Sequence, residues 1–392
     1  MSASNVLPTW PRFDPDERHA VETILASGKV NYWTGGAGRA FEQEYASTLG
    51  LKHAIALMNG TVALELALRM WNIGPGDEVV VTPRSFVASA SCAVLQGAKP
   101  VFADVDRDSG NLTAATIERV LTPRTRAIIP VHLGGWPCEM DDIMSLANAR
   151  GIRVLEDCAQ AHGATHRGRA VGSIGHAAAF SFCQDKIITT GGEGGLLATN
   201  DEEMWARAWA FKDHGKSFDA VYNREHPPGF RWVHESFGTN WRMTEIQAAI
   251  GRLQLRKLPQ WSARRRANAQ VLMDLLRETP GLRVPEVPGH LRHAYYRFYA
   301  YIVPERLRSG WSRDRIVSEV VARGVPCFSG SCSEMYREKA FVDAGLAPVT
   351  GLPVAHELGT TSLALLVHPT LDQEHMSLVA DTLRRVLAEA VL

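Results

Sequence analysis

Short apolar runs alternate with amphipathic stretches along the first half of the chain. Six runs are rich in β-branched or aromatic residues and short enough for strands: HAIAL (53–57), DEVVVTP (77–83), KPVFADV (99–105), RAIIPVH (126–132), IRVLED (152–157) and AAAFSF (177–182). Helix-like stretches separate them, one from Thr61, another after Ser85 and a third over residues 139–150. Strands that alternate with helices predict an α/β fold whose mostly parallel sheet is covered on both faces.

The second half of the chain has a different organisation. Residues 212–240 are rich in His, Gly, Pro and aromatic residues and predict a long functional loop. A strongly helical stretch follows from Met243, and the remaining sequence mixes a strand-like run with two helical stretches. We therefore predict a large domain over residues 1–260 and a small C-terminal α+β domain over residues 261–392.

Charge and composition narrow the classes of function. Lys+Arg and Asp+Glu each number 42, so the formal net charge is zero. This balance argues against a whole-protein electrostatic footprint for nucleic acid or for a membrane surface. A basic run, RRR at 264–266, is more typical of a solvated helix face than of a nucleic-acid site.

Cysteine usage and apolar segments indicate a compartment. The six cysteines contain no C-x-x-C pair, so we expect neither a metal site nor a disulfide framework. No run of about 18 apolar residues predicts a membrane span, and the N-terminal sequence lacks the apolar core of a signal peptide. We expect a cytoplasmic protein.

A lysine lies between a strand-like run and a glycine-rich turn in SFCQDKIITTGGEGG (181–195). This position sets the amine of Lys186 at the end of the predicted sheet, where an amine can form a Schiff base with an aldehyde. A lysine before glycines more often belongs to a surface loop, so the motif alone does not identify a catalytic residue.

An acidic residue ends another strand in LEDCAQAHG (155–163). Asp157 lies at the edge where ligands of open α/β sheets bind, and a carboxylate opposite a pyridine nitrogen keeps that nitrogen protonated. The competing interpretation of Asp157 is a helix N-cap. Gln160 follows one helical turn on, where it faces either the same ligand or solvent.

Two further strand ends complete the pattern. In MNGTVALELAL (58–68), Gly60-Thr61 opens a helix whose free amides favour a phosphate; an N-cap role for Thr61 is the alternative. In TPRSFVASASC (82–92), Phe86 opens a helix and is placed to stack on a planar ring, or belongs to the core. A phosphate turn, an aromatic ring, Asp157 and Lys186 are together what one cofactor with phosphate, ring, nitrogen and aldehyde needs.

The sequence resembles the sugar-nucleotide aminotransferases of the DegT/StrS family from about residue 31 to the C-terminus. EDCAQAHG, SFCQDKIITTGGEGG and GTNWRMTEIQAAIGRLQL (238–255) carry the resemblance. It implies the type I fold of pyridoxal-phosphate (PLP) aminotransferases, with residues 1–260 as the PLP-binding domain, and a homodimer with shared active sites. Val62, where the family has a small residue, and the loop CFSGSCSEMY (327–336) depart from the family's pattern.

The resemblance also implies a role for each site residue. Lys186 is expected to form the Schiff base with pyridoxal 5'-phosphate, and Asp157 to pair with its pyridine nitrogen. Six others are expected to contact the cofactor: Phe86 at its ring, Gly60, Thr61 and Ser181 at its phosphate, Gln160 near its ring hydroxyl and Asn240 at the phosphate of the neighbouring subunit.

The implied function is transfer of an amino group from L-glutamate to a nucleotide-linked keto sugar in surface-polysaccharide or amino-sugar biosynthesis. A 4-keto-6-deoxy sugar is typical of the family, and a UDP-linked N-acetyl keto sugar is mildly favoured. Aminocyclitol-forming and aminohydroxybenzoate-forming enzymes are alternatives with the same fold. A PLP-dependent sugar dehydratase is disfavoured because those relatives carry histidine in place of Lys186. The complete Lys, Asp and phosphate set disfavours a non-enzymatic regulatory role.

Overall fold

A computed structural model describes residues 7–392 of the chain. Its strands are β1 (His53–Leu57), β2 (Glu78–Val81), β3 (Lys99–Phe102), β4 (Thr125–Ile129), β5 (Arg153–Asp157), β6 (Thr165–His166), β7 (Arg169–Ala170), β8 (Ala177–Ser181), β9 (Gly195–Thr199), β10 (Leu282–Arg283), β11 (Leu291–Arg292), β12 (Phe298–Ile302), β13 (Cys327–Phe328) and β14 (Ser362–Leu365).

Thirteen α-helices lie among the described residues: α1 (Pro15–Ser27), α2 (Ala37–Leu49), α3 (Gly60–Met70), α4 (Ala88–Leu95), α5 (Ala114–Glu118), α6 (Met140–Arg150), α7 (Glu202–Phe211), α8 (Phe218–Tyr222), α9 (Glu245–Leu276), α10 (Arg313–Ala322), α11 (Lys339–Asp343), α12 (Pro353–Thr361) and α13 (Gln373–Ala390). Short 3-10 helices lie at Leu133–Gly135, Pro304–Arg306 and Met335–Arg337. In the part of the chain from 7 to 392, no helix combines the length and apolar character that crossing a membrane requires.

The central element is a seven-stranded sheet with the order β1-β9-β8-β5-β4-β2-β3. The strand β9 pairs antiparallel with both neighbours, and the other pairs within the sheet are parallel. All six strand-like runs of the first half are strands of this sheet, which confirms the predicted α/β class. Because β9 alone runs against the rest, the carboxyl ends of the other six strands meet at one edge.

Alternate residues of these strands face opposite sides of the sheet. Val79 and Val81 of β2 pack in one apolar cluster with helices α3 and α4. Val80, between them, packs in another cluster with helix α6. Since successive side chains of a strand point to opposite faces, helices cover both faces of the sheet, as predicted.

The longest helix, α9, joins the two halves of the chain. Its 32 residues begin after Thr244, whose side chain caps the first turn. Leu255 packs in the cluster against the central sheet, whereas Leu272 packs in the cluster around the four-stranded antiparallel sheet β10-β12-β14-β13. The predicted boundary lies within this helix, and the division into domains 1–260 and 261–392 stays a prediction.

The arginine run in α9 differs from the predicted solvated face. Arg264 is exposed, but Arg265 is completely buried and Arg266 is half-buried. The helix turns by about 100° per residue, so three consecutive arginines cannot share one face. Burial places the Arg265 guanidinium against the Trp10 ring, 5.2 Å from its centroid.

The predicted loop over residues 212–240 is more ordered than its composition indicates. It contains the helix α8, whose first turn is capped by the Ser217 side chain. Single β-bridges join Asp213 to Asn240 and Lys216 to His234. The five-residue helix is too short for an apolar periodicity to reveal it.

Candidate active site

A cavity of about 440 Å³ opens at the edge where the carboxyl ends of the parallel strands meet. Strands β5 and β8 end at Asp157 and Ser181, and the turns after β1 and β2 complete the wall. Seven of the eight predicted site residues line this cavity: Gly60, Thr61, Phe86, Asp157, Gln160, Ser181 and Lys186. The structure therefore brings together residues that are up to 126 positions apart in sequence, the separation between Gly60 and Lys186.

One end of the cavity is the N-terminus of α3. Asn59 caps this helix, its side chain accepting a 3.0 Å hydrogen bond from the Val62 amide, so the alternative N-cap role for Thr61 is wrong. The first amides of a helix have no intrahelical partner and favour an anion. Ser181 lies directly beside this helix start: a Cβ on Gly60 would lie 2.8 Å from the Ser181 Cβ.

A buried carboxylate forms a second wall. Asp157 is 4% exposed, and its Oδ2 accepts a 2.7 Å hydrogen bond from the Ser89 hydroxyl, while Oδ1 accepts one of 3.1 Å from the Ala159 amide. Burial raises the pKa of Asp157 above its ordinary value, although these two hydrogen bonds and Lys186 oppose the rise. A cationic ring nitrogen in the cavity would stabilise the charged form of this carboxyl.

The amine of Lys186 belongs to a third part of the cavity wall. Its Nζ is 3.5 Å from Asp185 Oδ1 and 5.1 Å from the centroid of the Tyr296 ring. Burial alone would raise the pKa of Asp185, but Lys186, the Tyr296 hydroxyl and Arg297 together hold that pKa below its ordinary value. The amine therefore has a carboxylate partner and an aromatic wall, and its side chain is only 15% exposed.

Two predicted site residues lie on turns instead of helices. Phe86 precedes α4, which begins at Ala88, and its side chain is 66% exposed. Gln160 follows β5 in a turn, not one helical turn on from Asp157, and its Oε1 accepts a 2.7 Å hydrogen bond from the Gly134 amide. The turn still brings Gln160 to the cavity, because the chain reverses directly after the strand.

A neutral histidine, His162, holds the backbone of Ser181 in the cavity wall. The Nε2 of His162 is 2.9 Å from the Ser181 carbonyl oxygen, and Nδ1 is 2.7 Å from the Tyr45 hydroxyl. Since a carbonyl can only accept, Nε2 carries the proton and Nδ1 accepts from Tyr45. Burial lowers the pKa of His162 to about 4, which keeps this tautomer neutral.

Asn240 is not among the residues that line the cavity. It is exposed, and its backbone pairs with Asp213. Asn240 lies five residues before the first residue of α9, and Thr244 caps that helix.

Sequence reasoning missed several residues that contact the predicted ones, among them Ser89, Asp185 and Tyr296. Ser89 binds Asp157, and Asp185 and Tyr296 surround the Lys186 amine. Asp185 was detectable as the acidic neighbour of the lysine. Tyr296 comes from a distant part of the chain and gives no local signal.

The donor set matches the groups of pyridoxal phosphate. The cavity wall combines free helix amides, a buried carboxylate and an amine. The exposed face of Phe86 leaves room for a planar ring. The residues present therefore fit the cofactor that the sequence predicts.

Comparisons with known proteins agree with this geometry. The DegT/DnrJ/EryC1/StrS aminotransferase family matches residues 11–384. The GDP-perosamine synthase of Caulobacter vibrioides is 40% identical over 321 residues, 80% of this chain and 81% of that protein. The UDP-N-acetyl-3-dehydro-α-D-glucosamine 3-aminotransferase of Acidithiobacillus ferrooxidans is 36% identical over 374 residues, 93% of this chain and 94% of that protein.

A solved structure shows the same architecture. The aminotransferase from Psychrobacter cryohalolentis superposes with a TM-score of 0.96 and is 53% identical, covering 98% of this chain and 99% of that one. The predicted type I aminotransferase fold is thereby confirmed. The chain belongs to the DegT/DnrJ/EryC1/StrS aminotransferase family and is a pyridoxal-phosphate-dependent aminotransferase.

Proposed function

We propose that the enzyme transfers an amino group from L-glutamate to a keto group on a nucleotide-linked sugar. The observation that carries the proposal is the shared cavity of the Lys186 amine and the buried Asp157 carboxylate. The similar enzymes of Caulobacter vibrioides and Acidithiobacillus ferrooxidans are named for a GDP-linked and a UDP-linked sugar. Both names support a nucleotide sugar as the amino acceptor. The proposed pathway is amino-sugar or surface-polysaccharide biosynthesis.

Lys186 is the proposed catalytic base and acid. Its Nζ would hold the cofactor's aldehyde carbon covalently in the resting enzyme and, once released by the amino donor, move a proton to and from the reacting carbon. Asp185, 3.5 Å away, would orient the amine. The bound cofactor supplies an electron sink for the charge that develops at that carbon.

Asp157 is proposed to keep the ring nitrogen protonated. The Ser89 hydroxyl and the Ala159 amide fix both oxygens of its carboxylate from the protein side. A fixed, buried anion stabilises a cation without reorganisation of solvent. Burial raises the pKa of Asp157, and a cationic partner would lower that pKa again.

The remaining cavity residues are proposed to orient the cofactor. The Gly60 and Thr61 amides and the Ser181 hydroxyl would bind its phosphate, at a helix start where anions are favoured. Phe86 would stack on the ring, and Gln160 would approach the ring hydroxyl. The family resemblance implies these roles, and the positions of the residues on the cavity wall support them.

We also propose a homodimer in which Asn240 serves the partner's site. Asn240 lies outside the cavity of its own chain. The same segment exposes three large aromatic side chains: Phe230 at 73%, Trp232 at 83% and Phe237 at 99%. Exposed aromatic residues on an ordered segment are typical of a protein interface. The cytoplasmic location stays a prediction.

The test of the amino acceptor uses the colour of the cofactor. The purified enzyme is expected to be yellow and to bleach when L-glutamate is added. The bleached enzyme is then incubated with a panel of UDP-, dTDP- and GDP-linked keto sugars, with aminocyclitol and aminohydroxybenzoate precursors as the alternative acceptors. A nucleotide keto sugar should restore the visible absorption band. Recovery only with a cyclitol or benzoate precursor would overturn the proposed substrate class.

A further inference from the structure

We infer that Trp10 is a positioning residue for Lys186, an inference that rests on the proposed role of that lysine. The indole Nε1 of Trp10 donates a 2.8 Å hydrogen bond to the backbone carbonyl oxygen of Lys186. The two residues are 176 positions apart in sequence. A side chain near the N-terminus thus reaches the backbone of the residue whose amine enters the active site.

The backbone of Lys186 has little other support. It lies in a turn between β8 and β9, outside the hydrogen-bond ladder of the sheet. Its amide donates to the Cys183 carbonyl at 3.0 Å. Among residues 7–392, the Trp10 indole alone donates a hydrogen bond to the Lys186 carbonyl oxygen. This bond therefore fixes the plane of the peptide that follows the lysine.

Trp10 is itself held by α9 and by the C-terminal part of the chain. Its ring packs edge-on against Trp261, with ring centroids 5.0 Å apart, and lies stacked at 6.0 Å from His368. The buried Arg265 guanidinium lies 5.2 Å from the ring centroid. These contacts restrain the ring from three sides, so the direction of its N–H is set by packing.

The residues before Trp10 attach to the C-terminal core. Leu7 is 5% exposed and belongs to the apolar cluster around the four-stranded sheet. The Thr370 hydroxyl donates a 3.2 Å hydrogen bond to the Thr9 carbonyl oxygen. The segment 7–10 thus connects the C-terminal core to Lys186. Leu7 and Thr9 contact the core, and Trp10 contacts the lysine.

Positioning matters because proton transfer and covalent capture depend on geometry. A shift of about 1 Å in a catalytic group can cost on the order of a hundredfold in rate. A swing of the Lys186 peptide plane would move its Nζ relative to Asp185 and to the Asp157 wall. The Trp10 hydrogen bond opposes that swing without contacting the cofactor.

The test replaces the indole donor and keeps an aromatic ring. Trp10→Phe removes the N–H, and Trp261→Phe is the matched control, because Trp261 packs on the same ring without bonding to Lys186. In Trp10→Phe, kcat is expected to fall roughly twofold to tenfold, the range of a net hydrogen bond, with KM for glutamate nearly unchanged. The pH midpoint of the cofactor's visible absorption should also move.

A second measurement needs no cofactor. In the apoenzyme, amide hydrogen exchange of the peptide spanning 183–188 should be faster in Trp10→Phe than in wild type, and unchanged in Trp261→Phe. Thermal unfolding checks that both variants are folded. Wild-type exchange, wild-type kcat and a wild-type absorption midpoint in Trp10→Phe would overturn the inference. So would equal changes in both variants, since these would indicate packing alone.

The proposed function is tested separately by Lys186→Ala. If Lys186→Ala retained turnover, the catalytic role of the lysine would fail. The exchange measurement would still show whether Trp10 holds this segment of backbone.

Discussion

The Ser89 hydroxyl donates a 2.7 Å hydrogen bond to Oδ2 of Asp157 inside the cavity. Ser89 lies in the first turn of α4 and Asp157 at the end of β5, so the contact joins the helix that follows β2 to the end of β5. It orients the buried carboxylate while leaving its charge intact. Charge and orientation of this group can therefore be tested by separate substitutions.

Asp157→Asn is expected to leave the fold intact and to lower kcat by orders of magnitude. The neutral amide can still accept from Ser89, but it cannot stabilise a protonated ring nitrogen. The measurement is steady-state transamination with L-glutamate, with circular dichroism as the check on folding. Ser89→Ala keeps the charge and should lower kcat far less. Near-normal turnover in Asp157→Asn would disprove the role of the carboxylate.

Lys186→Ala is expected to abolish turnover while phosphate binding largely persists. The substitution removes the amine at the cavity wall but leaves the start of α3 and Ser181 unchanged. After borohydride reduction, mass spectrometry should find the cofactor attached covalently to wild type and absent from the variant. Lys339→Ala, at a residue whose side chain is 86% exposed, serves as the control. Turnover that survived in Lys186→Ala would contradict the assignment.

Gly60→Ala is expected to weaken cofactor binding by disturbing the close contact between α3 and β8. The added Cβ would lie 2.8 Å from the Ser181 Cβ and 3.2 Å from its Cα. Because backbone must move, the free energy of unfolding should fall by roughly 1–3 kcal/mol, and the Kd of pyridoxal phosphate should rise about tenfold or more. Gly36→Ala, also at a helix start but with open space around it, is the control. Equal cofactor affinity in both variants would contradict the prediction.

The shared site is tested by mixing two inactive chains. Asn240→Asp places a negative charge where the partner's cofactor phosphate is expected, and Lys186→Ala removes the amine. If Asn240 acts on the partner's site, one site of each heterodimer carries both lesions and the other carries neither. Activity should then return towards half of wild type per heterodimer. If Asn240 acts within its own chain, every site keeps one lesion and no activity returns.

Acid sensitivity is expected from the buried His162. Its pKa is lowered to about 4 in the folded chain, against about 6.5 when unfolded. As the pH falls below 6.5, the unfolded chain binds the proton first, so stability is lost between about pH 6.5 and pH 4. At pH 5 this single group accounts for roughly 2 kcal/mol. His162→Gln, whose amide can donate to Ser181 and accept from Tyr45, should reduce the stability difference between pH 7 and pH 5 in denaturant unfolding of the apoenzyme. An unchanged difference would contradict the assignment.

Six strands of the central sheet could be predicted because each depends on a local pattern of apolar residues. The six strands were recognised because apolar β-branched runs are short and regularly spaced. The residues at these strand ends were expected to lie close together because parallel strands bring their carboxyl ends to one edge, as Asp157 and Ser181 illustrate. The close approach of Gly60 to Ser181 follows from the same topology.

The contacts that were missed depend on long-range packing. Tyr296 reaches Asp185 across 111 positions, and Trp10 reaches Lys186 across 176. No periodicity or motif encodes such pairs, because they arise only when α9 and the C-terminal sheet pack beside the site. The burial of Arg265 was missed for the same reason: its surroundings come from other parts of the chain.

The continuity of α9 has a consequence for exchanging parts between relatives. Leu255 and Leu272 of this one helix lie in different apolar cores. A chimaera joined at residue 260 would combine half-helices from two parents. Side chains from one parent would then meet side chains of the other parent in the middle of the helix. Joining at the turn after Leu276 would keep the helix whole. Two halves of related chains are thus more easily combined at the end of α9 than in its middle.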